Sequence, residues 1–263
     1  MVKIAENFSA NFKVKFNGGK SQLLVFSTAR NFTPVDITVE GTIVTSSRSA
    51  LHLGHKLFCD LGQDDLDSVI GAFNKQFNLF MSKFAKVTPR VKLKLFNTYC
   101  TSFYGIQLCS LGKLNKLHVG YRKNLRRLLK IPYRTHCQLI PSLAESLCTE
   151  HMFMKRFLKF ASVGLTHDFP VVRYILRNSL RISTSLFASN CNYCGEKLDV
   201  QIEGHLEDYS YQVRSQCKDK CFPKEVHATA QAIKELLDCK YSDFECGLSY
   251  NEIDKLLNTL CTE

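Results

Sequence analysis

Residues 66–84 have the sequence LDSVIGAFNKQFNLFMSKF, in which the apolar side chains recur at helical spacing. This periodicity predicts a helix of about twenty residues with one buried face. Asp64, Asp65 and Asp67 fall in its first turn, where acidic side chains complement the helix dipole. The buried face is predicted to consist of Leu66, Val69, Ile70, Phe73, Phe77, Phe80 and Phe84.

The same periodicity continues after this stretch. Pro89 is predicted to open a second helix, which places Val91, Leu95, Tyr99 and Phe103 on its core face. A third helix is predicted from about residue 114 to residue 130, with a core stripe of Tyr121, Leu125, Leu128 and Leu129. Further amphipathic helices are predicted at 136–147, 150–164, 169–179, 225–238 and 249–260.

The first sixty residues have a different pattern, which predicts strands. Phe12, Val14 and Phe16 alternate with lysines, and Asn17-Gly18-Gly19 is typical of a turn from which Leu23 to Phe26 would return. Residues 36–40 and 42–45 predict a second hairpin around Gly41. The predicted fold class is therefore α+β. It comprises a β-rich segment (1–61), a basic helical segment (62–190) and an acidic, cysteine-rich segment (191–263).

The charge distribution is uneven along the chain. Residues 68–144 contain fourteen Lys and Arg and no Asp or Glu, whereas residues 199–263 contain thirteen acids and seven bases. Positive side chains that share a surface repel one another, and a bound polyanion relieves that repulsion. We therefore expect nucleic acid as the partner. The alternatives are a solvated helix face, or a basic bundle that docks an acidic protein partner or the chain's own tail.

A set of basic residues in this region is predicted to contact the nucleic-acid backbone. Most of them fall in the second and third predicted helices or in the loops beside them. The predicted contacts are Lys83, Lys86, Arg90, Lys92, Lys94, Arg122, Lys123, Arg126, Arg127, Lys130 and Arg134.

The cysteines offer a candidate metal site. Cys191 and Cys194, with Cys217 and Cys221, have spacings at which thiolates can hold one Zn²⁺, and Gly195 suits a knuckle turn. The alternative is that these are thiols without a metal, as in a reducing compartment. No apolar stretch approaches the ~20 residues that a membrane helix needs, and no leader is evident. The sequence predicts an intracellular protein, nuclear or cytoplasmic, with no membrane partner.

Several short segments, in order, resemble the end of the palm and the thumb of LINE-type (non-LTR) retrotransposon reverse transcriptases. The resemblance covers residues 7 to 190, and each segment alone has little specificity. The segments that carry it are 16–21 (FNGGKS), 24–26 (LVF), 51–54 (LHLG), 91–96 (VKLKLF), 99–108 (YCTSFYGIQL), 126–132 (RRLLKIP), 135–136 (TH), 156–160 (RFLKF) and 189–190 (SN).

The resemblance implies roles for particular residues. Asn17 and Lys20 would lie near the phosphates of the incoming nucleotide, and Leu53 and Gly54 would belong to the primer-grip hairpin. The basic helices would form the thumb, which follows a primer and template made of RNA, DNA or a hybrid duplex.

One element of the family pattern is missing from this sequence. The family's Mg²⁺-binding aspartates precede the segment that contains Asn17 and Lys20, in an Ala-Asp-Asp turn that occurs nowhere in this chain. The expectation is a fragment of an RNA-directed DNA polymerase that binds nucleic acid but does not polymerise alone. A non-enzymatic interaction protein is the alternative.

Overall fold

A computed structural model describes residues 2–26, 35–52, 54–59, 65–198, 224–241 and 249–262. The chain divides into two compact units, residues 1–65 and residues 66–263. The fold is α+β and mostly helical, which confirms the predicted class. The first unit contains α1 (Val2–Phe12), β1 (Ile37–Val39), β2 (Thr42–Val44), β3 (Ser49–His52) and β4 (His55–Phe58). The second contains α2 (Leu66–Lys83), α3 (Pro89–Tyr99), α4 (Asn115–Leu129), α5 (Leu139–Leu143), α6 (Thr149–Leu165), α7 (Pro170–Arg181), α8 (Leu186–Leu198), α9 (Lys224–Tyr241) and α10 (Tyr250–Thr262).

The start of the first unit differs from the predicted strand. Helix α1 ends at Phe12, and Lys13 follows it with a φ of 53°. Ile4, Phe8 and Phe12 are four residues apart, and this helical spacing prevails over the shorter alternation that ends at Phe16. The predicted hairpin between residues 12 and 26 is also wrong, because Leu23 forms only an isolated bridge to Ser46.

Two antiparallel hairpins follow. In the first, Ile37 lies opposite Val44, and the turn residues Glu40 and Gly41 have φ of 46° and 78°. Positive φ at both central positions is the type I′ turn that suits a two-residue hairpin, so the predicted hairpin around Gly41 is confirmed. In the second hairpin, Ser49 of β3 lies opposite Phe58 of β4, and Gly54 in the turn has a φ of 82°.

The second unit has a core dominated by aromatic rings. Phe96 of α3 is fully buried, and its ring lies 5.8 Å from that of Phe77 on α2 and 5.6 Å from that of Tyr121 on α4. The predicted core stripes of α2 and α4 supply most of these contacts. Burial of several large rings makes this cluster the main source of stability in the unit.

The predicted core face of α3 is confirmed for Leu95 and Phe103, which lie in or against the core, and is wrong for Val91 and Tyr99. Helix α3 ends at Tyr99, and Phe103 lies beyond it with a φ of 37°. Val91 and Tyr99 are exposed by 47% and 54%. The buried face instead contains Lys92, Leu93 and Phe96.

Helix α8 was not predicted, and it completes the packing near residue 111. The side chain of Asn190 accepts a hydrogen bond from the backbone N–H of Leu111 (2.9 Å) and donates one to the carbonyl of Cys109 (3.0 Å). Asn190 is buried, so its side chain supplies these two backbone groups with hydrogen bonds away from solvent. Helices α9 and α10 contribute Ile233, Leu237, Ile253 and Leu257 to the same core cluster.

Candidate nucleic-acid interface

Helix α4 carries an exposed row of cations. Lys116, Lys123 and Arg127 are exposed, as is Lys130, which caps the helix. Their separations of seven, four and three residues keep them on one side of the helix. At 1.5 Å per residue, the row is about 21 Å long. We call these four residues the α4 basic row.

The C-terminal ends of α2 and α4 lie at the same end of the bundle. Asn124 donates to Asn74 (3.3 Å) and Arg127 donates to Asn78 (3.4 Å), so the two helices run parallel. Lys83 is the last residue of α2, and Lys86 follows it in the loop. Both are exposed, so they extend the basic surface beyond the α4 basic row.

Packing against aromatic rings fixes two members of the row. The guanidinium of Arg127 lies 5.2 Å from the centre of the Phe77 ring, and Lys130 Nζ lies 4.6 Å from the centre of the Tyr241 ring. Cation–π contacts of this kind hold a cation in place without neutralising its charge. The charge of both residues stays available to a polyanion.

The acids of the described ranges leave this row unpaired. The salt bridges among described residues are Lys197–Glu150, Lys234–Glu145 and one between Lys240 and Asp254. None of them involves a cation of α2, α3 or α4. The tail helices α9 and α10 therefore do not pair their described acids with the α4 basic row.

Lys92 was predicted to contact phosphate, but the structure buries this side chain. Its side chain is 1% exposed, and its ammonium donates a hydrogen bond to the carbonyl of Ala85 (2.7 Å). Burial, with the charge of Lys130, lowers the pKa of Lys92. Lys92 holds the loop between α2 and α3 and cannot reach a ligand in this structure.

Arg90 and Lys94 belong to a second site. Both line a groove of about 390 Å³ between α3, α5 and α9. Glu145 lies in the same groove, and its salt bridge with Lys234 is 3.0 Å long. The hydrogen bond from Lys234 lowers the pKa of Glu145 most, and the charges of Arg90 and Lys94 lower it further. This acid partly neutralises the groove.

The other predicted arginines have different surroundings. Arg126 donates two hydrogen bonds to the carbonyl of Thr135, at 3.2 and 2.7 Å, so it braces the segment after α4. Arg122 is half-buried beside a cavity that also contains His118. Arg134 is exposed next to Tyr133, whose side chain is 77% exposed. An exposed aromatic beside cations is a platform for base stacking.

Asn17 and Lys20 lie in the first unit, around a short 3₁₀ turn (Gly18–Lys20). The side chain of Asn17 accepts a hydrogen bond from the backbone N–H of Lys20 (3.2 Å), and the Lys20 side chain is exposed. Gly18 packs against Thr42 so closely that a Cβ would clash. Gly54 lies in the turn between β3 and β4, and Leu53 lies outside the described residues.

Cys191 and Cys194 do not form a knuckle turn. Both lie inside α8 with Gly195 and are 3% and 0% exposed. Burial raises the pKa of Cys191 to about 11, which disfavours the thiolate that zinc requires. The described ranges contain no group of three or more ligating side chains. Cys217 and Cys221 lie outside those ranges, so the zinc prediction stays untested.

Comparison with protein-family models, with curated proteins and with solved structures finds no match to this chain. Within the described residues, none of the helices has the length and apolar character to cross a membrane. Sequence reasoning missed Lys116 and Tyr133. Lys116 precedes Lys123 by seven residues, a spacing that would have placed it in the same row.

Proposed function

We propose that residues 66–263 bind the phosphate backbone of a nucleic-acid duplex or hybrid without regard to sequence. The observation that carries this proposal is the α4 basic row, together with its lack of salt bridges in the described part of the chain. Cations that are exposed, unpaired and in line can each replace a counterion on a polyanion.

The surrounding residues support the same role. Lys83 and Lys86 extend the row, and the exposed ring of Tyr133 next to Arg134 offers a stacking surface for an unpaired base. The contacts of Arg127 and Lys130 with aromatic rings fix the positions of two cations before a ligand arrives. Less side-chain entropy is then lost on binding.

The resemblance gives this role a biochemical setting. In a LINE-type reverse transcriptase the thumb follows the primer–template backbone, and we propose that this bundle descends from such a thumb. The chain would then be a C-terminal part of an RNA-directed DNA polymerase whose Mg²⁺-binding aspartates are not in this sequence. Binding without polymerisation is the proposed activity of the chain as given.

Fluorescence anisotropy with a labelled RNA–DNA hybrid of about 20 bp tests the proposal over about 50 to 200 mM salt. If six or more phosphates are contacted, the affinity should fall roughly 10³-fold or more across that range. Replacing Lys116, Lys123 and Lys130 with Gln should make the slope of log affinity against log salt about three units shallower.

A variant of equal net charge controls for a general effect of charge. Lys155, Lys159 and Arg177 are exposed on α6 and α7, and their replacement with Gln should change the slope by less than about one unit. Equal losses in the two variants would reject the row as the site. Absence of binding at low salt would reject the function itself.

Docking of a protein partner is the second candidate function, and α7 supports it. This helix contains no buried residue, and Val171, Tyr174 and Ile175 are each more than half exposed beside Arg177 and Arg181. An acidic partner with an apolar face would complement this surface. Binding of poly-glutamate that Arg177→Gln weakens, together with no nucleic-acid binding at low salt, would favour this candidate.

A further inference from the structure

A cavity on the other side of α4 brings together nucleophilic and basic side chains that nucleic-acid binding does not use. Its volume is about 230 Å³, and it lies between α4, α5 and the start of α6. Cys148 and Arg122 line it, together with Ser146 and His118. Cys148 is the N-cap of α6 and is partly accessible.

Cys148 is paired with a base. Its Sγ lies 2.7 Å from Nδ1 of His151, one turn further along the helix. The positive end of a 17-residue helix and an adjacent imidazole both stabilise a thiolate. A cysteine in hydrogen-bond contact with a histidine is the arrangement that activates a thiol for nucleophilic attack.

The cavity also contains polar groups that could hold a ligand. The hydroxyl of Ser146 is buried and lies beside the hydroxyl of Tyr121, which lines the same cavity. Arg122 lies in the same lining and supplies a positive charge. Burial lowers the pKa of His118, and its ring contacts the hydroxyl of Thr149 (2.6 Å). The carboxylate of Glu150 also lines the cavity, but it accepts a hydrogen bond from Tyr193 (2.6 Å) and pairs with Lys197 (3.2 Å). The neutral imidazole, the buried hydroxyl and the guanidinium are then the groups that suit an oxygen that becomes negative.

We propose that Cys148 is a covalent modification site for small α,β-unsaturated carbonyl compounds, with His151 as its base. His151 takes the thiol proton, and the sulfur forms a bond to the β-carbon. The electrons of the C=C bond move to the carbonyl oxygen, where Arg122 and Ser146 can stabilise the enolate. The proton then returns to the α-carbon, so the addition needs no oxidant and releases no leaving group.

Cys137 provides an internal control. It lines the same cavity and is more exposed than Cys148, and its Sγ accepts a hydrogen bond from Arg126 (3.4 Å). Among the described residues, no histidine forms a hydrogen bond with Cys137. Exposure alone would therefore make Cys137 the faster thiol, whereas activation by His151 favours Cys148.

The test uses the full chain, a limiting amount of N-ethylmaleimide and peptide mass spectrometry to measure the adduct at each cysteine. At about pH 6.5, Cys148 should react at least about tenfold faster than Cys137. His151→Gln should lower the Cys148 rate about tenfold, while His167→Gln leaves it unchanged. Equal rates at the two cysteines, or no effect of His151→Gln, would overturn the proposal.

A second measurement needs no variant, so it holds even if His151→Gln unfolds the protein. The ratio of the Cys148 rate to the Cys137 rate should fall as the pH rises from about 6.5 to about 9, because ordinary thiols ionise in that range. A ratio that stays constant would overturn the proposal as well. Rapid modification of the buried Cys100 and Cys191 would identify an unfolded variant.

Discussion

The two units of this chain bury apolar side chains to very different degrees. In the second unit, Phe77, Phe96 and Phe157 are at most 1% exposed, and they belong to one core cluster that runs through the bundle. In the described part of the first unit, Val44 is the only fully buried apolar side chain, while Ile4 and Phe12 are 70% and 65% exposed. The described residues of that unit form one α-helix and two separate hairpins.

This difference in burial determines how firmly each unit holds its surface side chains in place. Two-stranded hairpins are marginally stable without a covered face, whereas a helical bundle with a close-packed aromatic core holds its surface groups in place. The basic row therefore stands on a rigid support. The exposed Lys20 stands on a turn held by local hydrogen bonds.

The largest effect that we expect is from Phe96→Ala. The ring is fully buried against α2 and α4, so its loss should lower the free energy of unfolding by about 3–5 kcal/mol, as measured by urea denaturation. Two matched changes set the scale: Val91→Ala on the same helix and Phe8→Ala in α1 should each cost less than about 1 kcal/mol. A cost for Phe8→Ala equal to that for Phe96→Ala would remove the contrast between the units.

A smaller loss is expected from Asn190→Ala. The substitution removes the hydrogen bonds to the N–H of Leu111 and to the carbonyl of Cys109, which should cost about 1–3 kcal/mol. Asn192 lies on the exposed side of the same helix, and Asn192→Ala should change the free energy of unfolding by less than about 0.5 kcal/mol. Similar values for the two variants would mean that α8 is not packed as described.

The smallest effect concerns pH. Burial lowers the pKa of His118 below its ordinary value of 6.5, so the unfolded chain takes up a proton before the folded chain does. The free energy of unfolding should therefore fall as the pH drops through 6.5 towards the folded pKa. His118→Gln should weaken this decline in denaturation curves measured between neutral and mildly acidic pH. An unchanged pH dependence would contradict the assigned burial.

The sequence predicted the bundle better than the first unit. Helices α2 and α4 follow from their apolar spacing, because long amphipathic stretches identify their own buried face. Residues 12–16 were predicted as a strand because apolar and basic side chains alternate there, but an exposed coil can have the same alternation over five residues. Whether such a segment pairs depends on a partner strand, which local sequence does not specify.

The candidate site was predicted in part. The sequence around Lys92 gave no indication that this lysine is buried. Its neighbours Val91 and Leu93 are both apolar, but Val91 is exposed and Leu93 is buried. The buried face of α3 contains Leu93 and Phe96, whereas the predicted stripe included the exposed Val91 and Tyr99. Arg126 was predicted to contact phosphate, but its bonds to Thr135 depend on a fold of the following loop that composition does not reveal.

The central claim is that exposed cations of the bundle bind a nucleic-acid backbone, and the contrast between Lys123 and Lys92 tests it most directly. The measurement is the salt dependence of hybrid binding for the wild type, Lys123→Gln and Lys92→Met. The account predicts that Lys123→Gln makes the slope shallower by about one unit, whereas Lys92→Met leaves it unchanged. Binding that does not respond to salt, or equal effects of the two substitutions, would contradict the account.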